Sequence, residues 1–333
     1  MAPPAPEQLP ADVSPVEDIR GQTIASVVVC MVLAIVALIM RLVSRRIKKL
    51  SLMLSDYFAI AGTVCAFVTS LLVVYEARHG LGLHNEFVPS SDVTQILLAT
   101  FAGELTYTIG FTLVKLSIIA LYRQLFPTRL MLTSTTILAV LVTMWGIALV
   151  LVSIFSCNPI SGFWDHSIPS TCINLQWFYI GNAIPNILTD AALLCLPMRD
   201  IWSVRLDRHS KVAVSILFAL GSFVIVASGL RIHFMLTLDS NDLTWSYVGG
   251  ELWTAIELDI GVVCCCLATS RPVLSCLFPE SAKKLFRPNS IPATNAPQNY
   301  NFHVPNTRHP IGSPFKVPDS PGGGFIPLKD SAT

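Results

Sequence analysis

The chain has 333 residues, 53% of them hydrophobic and only 13% charged, with a formal net charge of +1. A soluble domain carries about a quarter charged residues, so the composition excludes an ordinary soluble globular protein. The net charge excludes nothing, because opposite charges segregated to two sides of a membrane cancel in the sum.

Crossing about 30 Å of hydrocarbon takes roughly 20 apolar residues. Seven stretches qualify: Thr23–Leu42, Tyr57–Tyr75, Gln95–Leu121, Ser134–Ser156, Gln176–Pro197, Lys211–Arg231 and Val248–Ala268. Lipid offers no partner to a backbone amide, so these runs are expected to be helices. The many shorter alternating segments of a membrane β-barrel are absent. The expected fold is an all-α membrane protein, a seven-transmembrane helix bundle over residues 23–272.

Residues 1–22 form a short polar tail, without the basic start and apolar core of a cleavable signal, so helix 1 is expected to serve as the anchor. After helix 1 come Arg41, Arg45, Arg46, Lys48 and Lys49, and basic clusters recur after helices 3, 5 and 7. The tail and the loops after helices 2, 4 and 6 carry acids instead, among them Glu17, Glu86, Asp92, Asp165 and Asp242. The positive-inside rule puts the N-terminus outside and the C-terminus in the cytosol. His79, His84 and Glu86 fall in the loop after helix 2. They are expected to form a solvated turn rather than a metal site.

Helix 3 holds two charges at bilayer depth, Glu104 and Lys115. A charge there costs about 2.5–3.5 kcal/mol and needs a reason. The two are eleven residues apart, almost three full turns, and so share one face with Tyr107, Thr108, Phe111 and Tyr122. They also sit about 16 Å apart along the axis, too far to pair. The loop after helix 4 contains Cys157 and Cys172, the two cysteines expected on the oxidising side. A disulfide between them is expected, against the alternative of two free thiols.

Helix 5 carries Asn182, Asn186 and Asp190 at i, i+4, i+8 spacing, with Pro185 in their midst. Asp190 lies at the depth of Lys115, and an ion pair between them is expected. On helix 7, Glu257 and Asp259 point about 200° apart. Glu251 lies level with Arg231 at the end of helix 6, which makes a Glu251–Arg231 contact the expected pair and snorkelling of Arg231 to water the alternative. Helix 7 has no lysine, so no retinal Schiff base, and no cofactor, is expected. Residues 273–333 are expected to be a disordered cytosolic tail, Pro, Gly, Ser and Asn rich from residue 279 on. It contains Ser313-Pro314, Ser320-Pro321 and the basic cluster Lys283–Arg287.

Several stretches match a known family. They are Ser55-Asp56-Tyr57, Gly80-Leu81-Gly82-Leu83-His84, Glu104 to Lys115-Leu116-Ser117-Ile118, and Tyr122-Arg123-Gln124-Leu125-Phe126. Cys157-Asn158-Pro159, Phe163-Trp164-Asp165, Cys172, Asn186 to Asp190, Pro197, Gly221, Arg231, Trp253, Glu257 and Arg271-Pro272 extend the match. Together they resemble the fungal rhodopsin-domain integral membrane proteins. That family includes plant-surface-sensing receptors of pathogenic fungi and membrane proteins of trichothecene-type toxin clusters. Three departures stand out. Ser55 replaces the first of two acids that usually open helix 2. The short tail leaves no room for the eight-cysteine outer domain of some receptor-type relatives. Helix 7 lacks Asn-Pro-x-x-Tyr, so coupling to a G protein would rest on helix count alone.

The resemblance implies a multi-pass protein of the plasma membrane or an endomembrane. Its expected role is a non-enzymatic, receptor-like sensor of a small ligand, or a membrane component linked to specialised metabolism. The expected pocket is lined by Glu104, Tyr107, Phe111, Asn182, Asn186 and Glu257. The expected partners are the lipid bilayer, a small-molecule ligand and a cytosolic signalling protein, not nucleic acid. The alternative is a membrane-embedded enzyme of the acid-catalysed cyclase or isomerase type, with Glu104, Asp190 or Glu257 as general acid.

Overall fold

A computed structural model describes residues 18–269 except 126–127, 166, 204–207 and 238–241. The expectations for residues 1–17 and for the tail beyond residue 269, with its Ser-Pro pairs and basic cluster, lie outside the described residues.

The described residues form seven α-helices: α1 (Arg20–Ile47), α2 (Leu54–His79), α3 (Ser90–Leu125), α4 (Arg129–Ile154), α5 (Leu175–Ser203), α6 (Arg208–Leu236) and α7 (Leu243–Leu267). Two short strands, β1 (Cys157–Asn158) and β2 (Thr171–Cys172), lie between α4 and α5. Every helix begins before the apolar stretch that predicts it, and all but α4 and α7 also run past its end, because a helix continues into the interface until a cap stops it. Thr128 caps α4 by accepting from the Met131 amide at 3.2 Å. Gly80, at φ 118°, closes α2 in the left-handed conformation, with the Leu81 amide bonded to the Glu76 carbonyl at 3.0 Å. At its start α1 begins at Arg20, three residues before the apolar stretch.

The helices pack in chain order into a closed ring, α7 returning to α1, with α3 and α7 meeting across the middle. Small residues line the contacts: Ala34 and Ala37 of α1 and Ala59 and Ala66 of α2 are buried with Val114, Leu258 and Val262. At Gly110 a Cβ would stand 2.7 Å from that of Cys65 and 3.2 Å from the Leu258 side chain. The absent side chain is what allows α3 to approach α2 and α7 there. The outside is apolar: Leu33, Leu141, Met144 and Leu188 are at least half exposed. Six helices have the length and composition to cross a membrane. The remaining helix, α7, carries Glu251, Glu257 and Asp259, all buried within the bundle.

At one end of the bundle β1 and β2 pair antiparallel with Cys157 opposite Cys172, and a disulfide joins them. The loop they close leans on α3, where Phe101 lies 5.5 Å from the rings of both Phe163 and Trp164. The α2–α3 connection is solvated only in part: Glu86 is exposed, while Leu81 packs with Tyr247 and Val248 at the start of α7. Leu81 is fully buried, the Gly82 amide bonds the Thr244 carbonyl, and Thr244 donates its hydroxyl to the Leu83 carbonyl. His84 pairs with Asp242 at 2.5 Å and stacks on Trp245, while His79 pairs with Asp92.

At the opposite end, the loop basics include a residue that is not in the loop at all. Arg41 is fully buried; it donates to Asp56 Oδ1 at 2.8 Å and to the Cys265 carbonyl at 2.7 Å, joining α1, α2 and α7. Arg45 reaches Asp56 Oδ2 at 3.1 Å, and Ser117 of α3 donates to the Ser55 carbonyl.

Candidate functional site

One face of α3 supplies the centre of the bundle. Tyr107, Phe111 and Lys115 are spaced one helical turn apart and are all buried. Lys115 Nζ donates to Asn186 Oδ1 and Thr189 Oγ1 at 2.7 Å each and to the Asn186 carbonyl at 3.1 Å. Asp190 Oδ1 is 3.0 Å away, and the Phe111 ring lies beneath the ammonium with its centroid at 4.5 Å.

Asn186 carries the network onward. Its Nδ2 donates to the Tyr107 hydroxyl at 3.2 Å, and that hydroxyl donates to Glu257 Oε2 at 3.0 Å. Ser228 of α6 donates to Glu257 Oε1. Arg231 lies over the Tyr107 ring, 4.6 Å from its centroid, with Nε 3.7 Å from Glu257 Oε2. A continuous polar chain thus runs from Asp190 through Lys115, Asn186 and Tyr107 to Glu257, Ser228 and Arg231. It ties α3, α5, α6 and α7 together, and its members are shielded from water.

The expected partner of Arg231 is therefore corrected. Its ion pair falls on Glu257, not on Glu251, and it does not snorkel, being 3% exposed. The guanidinium turns inward because the Tyr107 ring face and the Glu257 carboxylate together receive it. Glu251 is buried within electrostatic reach of Glu104 and Arg231. Glu257 and Asp259 face different neighbours, Asp259 accepting from Ser70 of α2 at 3.1 Å.

A cavity of about 20 Å³ lies against this chain, between α3, α4 and α5. Tyr107, Phe111, Asn182 and Asn186, four of the expected pocket residues, line it together with Lys115. Glu104 and Glu257 do not. Both oxygens of Glu257 are taken up by Tyr107, Ser228 and Arg231, and Glu104 has a buried Oε1 with no partner in the protein, away from the cavity wall. Sequence reasoning missed the α4 side of the cavity, Trp145, Gly146 and Leu149, because α4 carries no polar stripe to mark an inward face. Gly146 is the one signal available there. A Cβ on it would stand 2.5 Å from Thr112 Oγ1, so only glycine lets α4 close on α3. Ser228 was also missed, since nothing in the sequence sets it apart from Ser210, Ser215 and Ser222 on the same helix. Among the described residues no three His, Cys, Asp or Glu side chains converge as a metal site would require.

A lipid-facing apolar shell around a hydrogen-bonded polar core defines a multi-pass, seven-helix membrane protein. The family model described as the fungal rhodopsin domain matches residues 40–276, and the chain belongs to that family. It is 26% identical to a SAT4 family membrane protein of Emericella nidulans, over 69% of this chain and 59% of the relative. It is 28% identical to Wortmanamides biosynthesis cluster protein C of Talaromyces wortmannii, over 71% of this chain and 65% of the relative. It is 24% identical to Receptor GIN3 of Arthrobotrys oligospora, over 69% of this chain and 56% of the receptor. The chain thus spans less than two thirds of the length of these relatives. No solved structure matches it.

Proposed function

We propose that this protein is a receptor-like sensor of a small ligand linked to specialised metabolism, binding at the α3–α4–α5 cavity and signalling from the basic, cytosolic end to a partner protein. One observation carries the reading: the cavity wall is itself part of the polar chain that reaches α6 and α7. Tyr107, Lys115 and Asn186 each face the cavity and each hold a bond of that chain. A ligand that draws on any of them changes the partners of Glu257 and Arg231 two helices away. The relatives supply the context, one named for a biosynthesis cluster and one named a receptor.

The test uses the full chain in lipid nanodiscs, with fractions of apolar metabolites from the fungus that encodes it. A binding fraction raises the unfolding temperature, by an amount growing with the logarithm of its concentration. The same fraction changes the output of a reporter in the fungus, and Asn186→Leu removes both responses. Stabilisation that leaves the reporter silent would sink the sensor reading.

A further inference from the structure

The turn that ends α1, far from the cavity, gathers charge that nothing else in the fold uses. Two backbone bonds close it: the Lys49 amide donates to the Arg46 carbonyl at 3.0 Å and the Leu50 amide to the Arg45 carbonyl at 3.1 Å. This closure puts one residue in the left-handed region, a place that glycine usually takes. Here that residue is Lys49, at φ 51°, the single non-glycine with positive φ among the described residues. A lysine holds that conformation at a cost that glycine would avoid.

Arg46, Lys48 and Lys49 are all exposed, and they leave the backbone within one turn. Asp56 is the sole acid of residues 21–75, and it is buried and engaged by Arg41 and Arg45. No ion pair among the described residues includes Arg46, Lys48 or Lys49.

Directly above this turn runs an apolar stripe. Val36, Ile39, Val43 and Ile47 recur every three or four residues on one face of α1 and are 42–59% exposed. Leu50, Leu52 and Leu54 carry the exposed apolar surface through the connection to α2. The stripe lies in hydrocarbon and the cations lie at its edge. An occupant that meets both has an apolar chain in the bilayer and an anion at the headgroup level, which is a lipid of the cytosolic leaflet.

The charge selects the headgroup. A phosphodiester lipid brings one negative charge and leaves most of the three cations unmatched. Each phosphomonoester adds about 1.5–2 negative charges near neutral pH. We infer that the end of α1 is a binding site for a lipid whose headgroup carries phosphomonoesters, a phosphorylated inositol lipid, with its acyl chain along the Val36–Ile47 stripe and its phosphates on Arg46, Lys48 and Lys49.

The test uses the full chain in phosphatidylcholine nanodiscs and a phosphatidylinositol bisphosphate with a diazirine on its acyl chain, mapped by mass spectrometry. The probe labels α1 between Val36 and Ile47 saturably, and unlabelled phosphatidylinositol bisphosphate competes. Phosphatidylserine at matched charge and free inositol trisphosphate each compete about tenfold less well. Arg46→Gln/Lys48→Gln/Lys49→Gln weakens the apparent affinity about a hundredfold. Lys49→Gly removes one charge and keeps the turn. It weakens the lipid about fivefold, yet unfolds no earlier than the parent in plain phosphatidylcholine. Undiminished labelling of the triple variant would overturn the site. Equal competition by phosphatidylserine would overturn the phosphomonoester class, and equal competition by inositol trisphosphate would overturn the lipid as its source.

Discussion

Tyr107 and Glu257, on α3 and α7, share a 3.0 Å hydrogen bond at the point where two halves of the polar core meet. On one side the Tyr107 hydroxyl accepts from Asn186, and on the other Glu257 gathers Ser228 and Arg231. Tyr107→Phe keeps the ring under Arg231 and removes only the oxygen. It leaves Asn186 Nδ2 without its acceptor and Glu257 Oε2 without its donor. The expected loss is about 1–3 kcal/mol, read as a fall in the midpoint of denaturant unfolding in mixed micelles. An unchanged midpoint would mean that the bond contributes nothing.

Lys115 and Asp190 make the second prediction. Replacing one member of a buried pair leaves the other uncompensated and costs about 3–5 kcal/mol. Lys115→Met and Asp190→Leu should each destabilise strongly, and the double variant by much less than their sum. The cycle separates the pair from the surrounding amides and hydroxyls. Additive losses would show that the two do not act on each other.

Arg41→Met should be as damaging as a core truncation, although a basic residue at the end of a span usually tolerates change. The substitution takes from Asp56 its fully buried cationic partner, leaving it Arg45 and the Met53 amide, and frees the Cys265 carbonyl. Arg45→Met, at a more exposed side chain, should cost far less. Parallel thermal unfolding of the two variants decides it, and equal losses would contradict the burial difference.

Reduction of Cys157–Cys172 opens a loop with a sequence separation of 15. Loop-closure entropy puts the loss at about 3 kcal/mol. The Cys157→Ser/Cys172→Ser variant should therefore unfold earlier than the parent without reductant and be insensitive to added dithiothreitol.

The helix count was readable from apolar length alone, because a chain in lipid has no other way to satisfy its backbone. Depth was readable too: counting along α3 and α5 puts Lys115 and Asp190 at one level, and they are 3.0 Å apart. Rotation about the axis was not. Glu251 and Glu257 are six residues apart on α7, and depth alone chose Glu251 for Arg231, whereas the ring of Tyr107 steers Arg231 to Glu257. The Arg41–Asp56 link was hidden for a different reason. A basic residue at the edge of a span serves topology and packing with the same letter. Trp145 and Gly146 were silent because the α4 residues around them, Met144 to Val152, are apolar throughout and give no contrast between inner and outer faces.

The composition of α7 has a consequence for how the protein is made. With three acids along its length, α7 is a poor substrate for independent entry into lipid. Among the described residues, Glu257 and Asp259 find their partners on helices that precede it: Tyr107 of α3, Ser228 and Arg231 of α6, and Ser70 of α2. The helix α7 is thus a keystone, held in the membrane by an arch that must already be standing when it arrives.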